Sequence, residues 1–371
     1  MTKNLIILNQ YLSGVNKHIF EELDKRDWKI NVINIPFPLQ NIFKSLLIEF
    51  NLNVFQWRQK AIDHFLQSCN TSETFKKRTS YCLKKIEKTQ EEFDILFQIS
   101  GMFAPTLNYK KLEAPLVTFN DYTMSLALKY PPSAPPPTEI SKWLELEKDL
   151  YQNASKIFTT SENTKRSLIS NYDVKSDKII LIRYGIPIEI KSNDNKIYTN
   201  KTILFVGRNF TQKGGFTLLK AFQVVRKKIP EAKLIIVGVN KNIVGEKIPG
   251  VEVLGFIKDR NKMNSLYEKS DVFVMLPYSE AFGLVFLEAM IHKLPCIGTN
   301  IDAIPEIISE GKTGFLIKPD DAEDLANKII FLLDNPDQSK KMGTLGYEKA
   351  IKEFSWENFG NTIDKNLRNL I

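Results

Sequence analysis

Two Rossmann-like α/β halves in succession are the fold class this sequence predicts. Short apolar strand segments alternate with helical segments along the chain, the alternation restarts at Ile203 after a polar stretch, and 371 residues are long for one core. A composition of 43% hydrophobic and 11% aromatic residues can bury two such cores.

In chain order, Leu5 to Leu8, a loop holding Gly14, a helix through Ile19 to Leu23 and then Ile30 to Ile35 make a first βαβ unit. Further strands are expected at Ile95 to Ile99, Leu116 to Phe119, Ile157 to Thr160 and Ile179 to Ile182. A second series starts at Ile203 and continues with Leu234 to Val237, Val251 to Leu254, Val272 to Leu276, Cys296 to Thr299 and Phe315 to Ile317. Between them Glu189 to Lys201 is polar and carries no strand pattern, which puts the hinge there. Pro131 to Pro137 reads as a rigid surface loop.

Lys plus Arg 51 against Asp plus Glu 43 gives +8, a balance that favours anionic ligands or surfaces. The basic residues carry no nucleic-acid recognition motif. Cys69, Cys82 and Cys296 are odd in number and widely spaced, so neither a zinc spacing nor a disulfide framework follows and a reducing compartment is expected. Leu5 to Leu8 is too short for a signal-peptide core, and no apolar run approaches membrane-spanning length. The expectation is a cytoplasmic protein whose only membrane contact is peripheral, at the inner face.

The chemistry concentrates in two strand-to-helix loops of the second half. Ser279 to Met290 sets Glu280 and Glu288 around mostly apolar residues, after an apolar run closed by Pro277, and reads as strand, turn and buried helix. Helix-start amides suit phosphate, and carboxylates suit sugar hydroxyls. The plain alternative is a surface cap at Glu280 and a salt-bridged helix residue at Glu288. Earlier, Gly207-Arg208-Asn209-Phe210-Thr211-Gln212-Lys213-Gly214-Gly215 joins glycines that allow close approach to two cations beside a helix start, the chemistry that holds a diphosphate. This loop is neither a P-loop nor a dinucleotide fingerprint. In a doubly wound sheet both loops lie at strand carboxyl ends and converge on one crevice.

Together with Ile304-Pro305-Glu306-Ile307 and Gly311-Lys312-Thr313-Gly314-Phe315-Leu316, these stretches resemble the ordered motifs of the group 4 retaining glycosyltransferases. The resemblance is dense from Ile203 to Trp356 and looser upstream. It implies the GT-B architecture, two Rossmann-like domains facing across a cleft: residues 1–188 with 357–371 on the acceptor side, and residues 189–356 binding the nucleotide-sugar donor. The Phe354-Ser355-Trp356 stretch and the helical pattern to Ile371 resemble the family's last helix, which returns to the N-terminal domain.

By that resemblance Arg208 and Lys213 neutralise the donor diphosphate as it leaves, and Glu280 contacts sugar hydroxyls. The amides of Ala281, Phe282, Gly283 and Leu284 lie near the sugar and distal phosphate. Glu288 binds the ribose, and Gly255 and Phe256 line the base pocket. Breaking a glycosyl-phosphate bond puts negative charge on phosphate, so preorganised cations lower the barrier and no metal is required. UDP is the favoured donor diphosphate, with GDP and ADP as alternatives, and no separate cofactor is implied.

The N-terminal half departs from the pattern. Where many members have a glycine pair, Ser13-Gly14-Val15-Asn16 leaves close approach to Gly14, and Asn120 occupies the usual histidine position after Leu116 to Phe119. An amide can hydrogen-bond a sugar hydroxyl but does not titrate. Asp121 is a candidate to orient the acceptor or take its proton, or else a capping aspartate; His18 is a further candidate near Gly14, while His64 and His292 read as structural or surface residues.

Ile42 to Trp57 followed by the basic stretch Phe75 to Lys88 either forms a membrane-facing surface or a core-facing helix followed by a solvated one, the second being the simpler reading. The implied activity is retaining, metal-independent transfer of a sugar to a hydroxyl of a glycan, glycolipid or small molecule. A nucleotide-sugar epimerase and a non-catalytic nucleotide-sugar-binding protein are the alternatives.

Overall fold

The structure is a computed structural model that describes residues 3–10, 15–36, 69–89, 92–108, 114–129, 139–186, 196–244 and 248–371. Gly14, the Ile42 to Trp57 segment, His64 and the Pro131 to Pro137 loop lie outside the described residues. The chain divides into two compact units, Met1–Ile182 with Trp356–Ile371, and Arg183–Ser355. The seams fall at Ile182 and Ser355, a few residues ahead of the 188 and 356 limits read from the sequence.

In the first unit β1 (Lys3–Asn9), β2 (Trp28–Asn34), β3 (Ile95–Ile99), β4 (Leu116–Phe119), β5 (Lys156–Thr159) and β6 (Ile179–Leu181) form one sheet in the order β2-β1-β3-β4-β5-β6. Every pairing is parallel. β3 and β4 are buried along their whole length, as strands covered on both faces must be, which explains why they read as continuous apolar runs. The order turns back between β1 and β3, the switch point where ligands bind in such sheets.

Helices α1 (Val15–Asp24), α2 (Ser72–Glu87), α3 (Ile140–Asn153) and α4 (Glu162–Tyr172) cover this sheet. Thr71 and Ser161 start α2 and α4 by accepting from the amides of Thr74 and Thr164. α2 buries Phe75, Thr79, Cys82, Leu83 and Ile86 and turns Lys76, Lys77, Lys84 and Lys85 to the surface, an amphipathic helix with a solvated basic face. Arg78 corrects the view of that stretch as wholly solvated: it is 3% exposed. Among the described residues its guanidinium makes no hydrogen bond, and burial pulls its pKa down to about 10. The C-terminal helix Trp356–Arg368 also packs on this unit, with Asp364 accepting from Trp28 Nε1 at 2.7 Å and Phe359 set edge-on to Phe119.

In the second unit β7 (Thr202–Val206), β8 (Lys233–Val237), β9 (Val251–Gly255), β10 (Val272–Val274), β11 (Cys296–Thr299) and β12 (Gly314–Ile317) pair in the order β12-β11-β10-β7-β8-β9. All are parallel. Counted within the unit this is the 3-2-1-4-5-6 order read in reverse, with the switch point between β7 and β10. Both α/β halves and all twelve expected strands are therefore present. α5 (Gly215–Lys228), α6 (Arg260–Lys269), α7 (Leu284–Ile291), α8 (Ala322–Asp334) and α9 (Pro336–Glu353) complete the unit. α7 is apolar on every side except at Glu288 and buries Phe286, Leu287, Ala289, Met290 and Ile291, the pattern of a helix inside a core. Among the described residues no helix is long and apolar enough to cross a membrane.

Candidate active site

The loops that leave β7 and β10 flank the switch point of the second sheet and are bonded to each other through the backbone. Leu276 N–H donates to the Lys213 carbonyl at 3.1 Å and Tyr278 N–H to the Gln212 carbonyl at 3.0 Å. Gly214 makes this approach feasible: its φ is +70°, and a Cβ there would stand 2.2 Å from the Leu276 carbonyl oxygen. The two stretches singled out in the sequence thus form one cluster.

Within it, Lys213 Nζ donates to Glu280 Oε2 at 2.8 Å and approaches the Ser279 carbonyl at 3.4 Å. The side chains are 21% and 17% exposed, so the ion pair is partly shielded yet reachable by a ligand. An ammonium has three donors, and these contacts occupy two. The Glu280 amide donates to Asp302 Oδ2 at 3.0 Å, which fixes the turn carrying the carboxylate. Arg208 is exposed and lays its guanidinium over the Phe256 ring, 5.0 Å from the centroid, a cation–π contact that holds it while its N–H groups stay available. Phe256 is 58% exposed and follows Gly255 at the end of β9.

Phe282 is buried between Tyr184 and Phe354, with ring centroids 5.1 and 5.9 Å away. Its side chain anchors the turn that precedes α7. Gly283, with φ +99°, caps the start of α7. Four residues into α7, Glu288 accepts from Arg260 Nη1 at 2.8 Å and from Tyr267 Oη at 2.9 Å. Glu288 is therefore a salt-bridged helix residue whose carboxylate is oriented by two partners. His292 stacks on Tyr267 and meets the Glu288 carbonyl at 2.7 Å through Nδ1; burial lowers its pKa, which fits a structural role.

Arg260, Tyr267 and Asp302 were not singled out in the sequence, because the first two arrive on α6 and the third on the loop after β11, and only the sheet order brings them near Glu288 or Glu280. The nearest local signal is Asp259, whose carboxylate accepts from Asn261 and Lys262 and sets the start of α6.

The first unit's candidates are also placed. Asn120 directly follows β4 and is 2% exposed, with neither side-chain atom hydrogen-bonded among the described residues. The Asp121 carbonyl accepts from Thr164 Oγ1 at 2.8 Å. His18 stacks on Trp356 at 4.8 Å and meets Glu21 Oε2 at 3.1 Å through Nδ1.

Residues 187–349 match the family described as glycosyl transferases group 1. The chain is 27% identical over 237 residues to a D-inositol 3-phosphate glycosyltransferase of Corynebacterium aurimucosum, covering 57% of this chain and 56% of that one. It therefore spans little more than half the length of that relative. Sucrose-phosphate synthase of Thermosynechococcus elongatus has a similar fold, with TM-score 0.74, 18% identity and 99% of both chains covered. So does HepE of Anabaena, solved in complex with UDP, with TM-score 0.73, 17% identity and 99% and 100% covered. Two parallel doubly wound units give this chain the GT-B fold, and the second of them matches the glycosyl transferases group 1 family over residues 187–349.

Proposed function

We propose that the chain transfers a sugar from a nucleoside-diphosphate sugar to an acceptor hydroxyl, with retention at the anomeric carbon and without a metal. The observation that carries this reading is the convergence of Arg208, the Lys213–Glu280 pair and the Glu280 to Leu284 backbone at one switch point. Arg208 and Lys213 take the charge that develops when the bond between the anomeric carbon and phosphate oxygen breaks and its electron pair goes to phosphate. The acceptor oxygen bonds the anomeric carbon on the same face, and its proton passes to the departing phosphate. Glu280 releases Lys213 in part to phosphate and turns to the sugar hydroxyls, while Glu288 holds the ribose in the orientation that Arg260 and Tyr267 give it. Glu280 and Glu288 serve different ends of one donor, so the paired-carboxylate scheme of glycosidases does not apply to them.

UDP is the preferred diphosphate, a choice supported by the UDP bound in the HepE structure. The acceptor is a sugar, glycolipid or small molecule, and the protein works in the cytoplasm or against the inner face of a membrane. Calorimetric titration with UDP, GDP and ADP, alone and as their common sugars, in chelator, tests the donor and the metal independence together. Proton NMR of the product then reads its anomeric configuration. Diphosphate binding without turnover on any acceptor would instead establish a non-catalytic binding protein, and a rearranged sugar in solution would establish an epimerase.

A further inference from the structure

A second polar cluster lies in the first unit at the carboxyl ends of β3 and β4, and it centres on a residue that the reading above does not use. Glu147, on α3, is 3% exposed. It accepts from Tyr151 Oη at 2.8 Å, from Tyr172 Oη of α4, and from Met124 N–H at 3.3 Å on both oxygens. Tyr172 Oη in turn accepts from Ser125 N–H at 3.0 Å. One carboxylate and one phenol therefore hold two successive amides of the loop that begins at Asn120.

The same group reaches the turn after β3. A Cβ on Gly101 would stand 2.7 Å from Tyr151 Oη, 3.1 Å from Glu147 Oε1 and 3.2 Å from Asn120 Oδ1. The three polar side chains thus close around a backbone position with no room for a side chain. Beside them, both polar ends of the Asn120 amide are buried and, among the described residues, unpaired. A buried amide without partners is costly, and a ligand hydroxyl would satisfy both its donor and its acceptor.

We propose that Glu147 is a positioning residue: through Tyr151 and Tyr172 it fixes the Ser100–Gly101 turn and the Asn120–Ser125 loop, so that the Asn120 amide meets a hydroxyl of the acceptor. This rests on the proposed transferase activity for its ligand, but not for its geometry. Among the described residues no cation is bonded to Glu147; the titratable groups that face it are Tyr151 and Tyr172, with Asp121 acting on Tyr151. Burial pushes the Glu147 carboxyl up to about 7, so its charge state changes near neutral pH and the loop geometry changes with it.

The test compares the full-length protein with its Glu147→Gln, Tyr172→Phe and double variants. UDP release from UDP-glucose, with glucose as acceptor, is followed across pH; UDP affinity is followed by calorimetry, and amide hydrogen exchange is followed over 100–104 and 120–127. In Glu147→Gln, kcat falls about tenfold and loses its inflection near about pH 7, while UDP affinity stays unchanged and exchange accelerates in those two segments alone. The double variant is no worse than Glu147→Gln, because both substitutions break one connected unit. Wild-type kcat, pH profile and exchange rates in Glu147→Gln would overturn the proposal. So would a loss of UDP affinity equal to the loss of kcat, which marks general damage. Should Glu147→Gln fail to fold, Tyr172→Phe carries the kcat, UDP-affinity and hydrogen-exchange readings, with the pH inflection moved upward rather than lost. A wild-type protein silent toward UDP-, GDP- and ADP-linked sugars overturns the proposed function instead, and hydrogen exchange still decides the positioning role.

Discussion

At the scale of single residues, the second unit holds the charges of its two candidate loops in pairs. Lys213 and Glu280 neutralise each other at 2.8 Å, so removing either leaves the other partly shielded and unpaired. Lys213→Ala is expected to lower turnover by about 10²–10³-fold, the usual cost of one preorganised donor to a leaving group. Binding of a neutral sugar changes little. Steady-state kinetics check this, and full activity would sink the phosphate assignment. Glu288→Ala strands Arg260 and Tyr267 and is expected to weaken binding of the bare nucleoside diphosphate about tenfold, the loss of one charged hydrogen-bonding group; calorimetry without sugar reads it. In the first unit the Glu147 carboxyl, raised by burial from its ordinary 4.5 to about 7, binds its proton more tightly folded than unfolded. Its contribution to stability is therefore complete below pH 4.5 and is lost as pH rises through about 7. The loss is on the order of 3 kcal/mol at most, at about 1.4 kcal/mol per pKa unit. Melting temperatures of wild type and Glu147→Gln, taken from about pH 5 to 8, should show the wild type losing ground to the variant as pH rises. A constant difference would mean that the carboxyl is not buried as described.

At the scale of elements, the loops depend on backbone positions that only glycine fills. Gly214→Ala sets a methyl 2.2 Å from the Leu276 carbonyl at φ +70°, which adds a backbone clash to left-handed strain of about 1–3 kcal/mol. The second unit should melt several degrees lower by calorimetry, with donor binding lost along with the bond between the two loops; an unchanged melt would show that the loops can separate freely. The sequence marked this glycine for close approach to a ligand, with no sign of its contact with Leu276; the strands were legible, because parallel strands covered on both faces are short apolar runs such as Ile95 to Ile99. Glu280 and Glu288 were legible because they interrupt an otherwise apolar stretch. Asp302, Arg260 and Glu147 were not, since their meaning depends on which strand lies next to which, and the crossovers that decide this leave no local trace. Arg78 misled for the opposite reason. In a run of lysines it looks solvated, but it sits beside Phe75 and Thr79 on the face that α2 turns inward.

At the scale of the whole molecule, chain order and structural unit part company at Trp356. The last helix belongs to the first unit, although the entire second unit precedes it in the chain. It buries Phe359, Ile363 and Leu367, each worth about 1.5–3 kcal/mol when fully removed from water. It also gives Trp28 its acceptor in Asp364, and Arg26 its acceptor in Asn361 at 2.9 Å. A chain ending at Ser355 therefore loses an amount comparable with the roughly 5–15 kcal/mol that a domain usually holds in reserve, and the loss falls on one unit alone. The second unit keeps its sheet, the Lys213–Glu280 pair and Glu288, all of which lie within Arg183–Ser355. Deleting 356–371 is thus expected to abolish sugar transfer and the protection of β1 and β4 against hydrogen exchange, while the affinity for the donor diphosphate stays within about twofold of the intact protein, since distant and independent changes add. Loss of diphosphate binding together with the first unit would mean that the two units fold as one, and that the donor site is not self-sufficient.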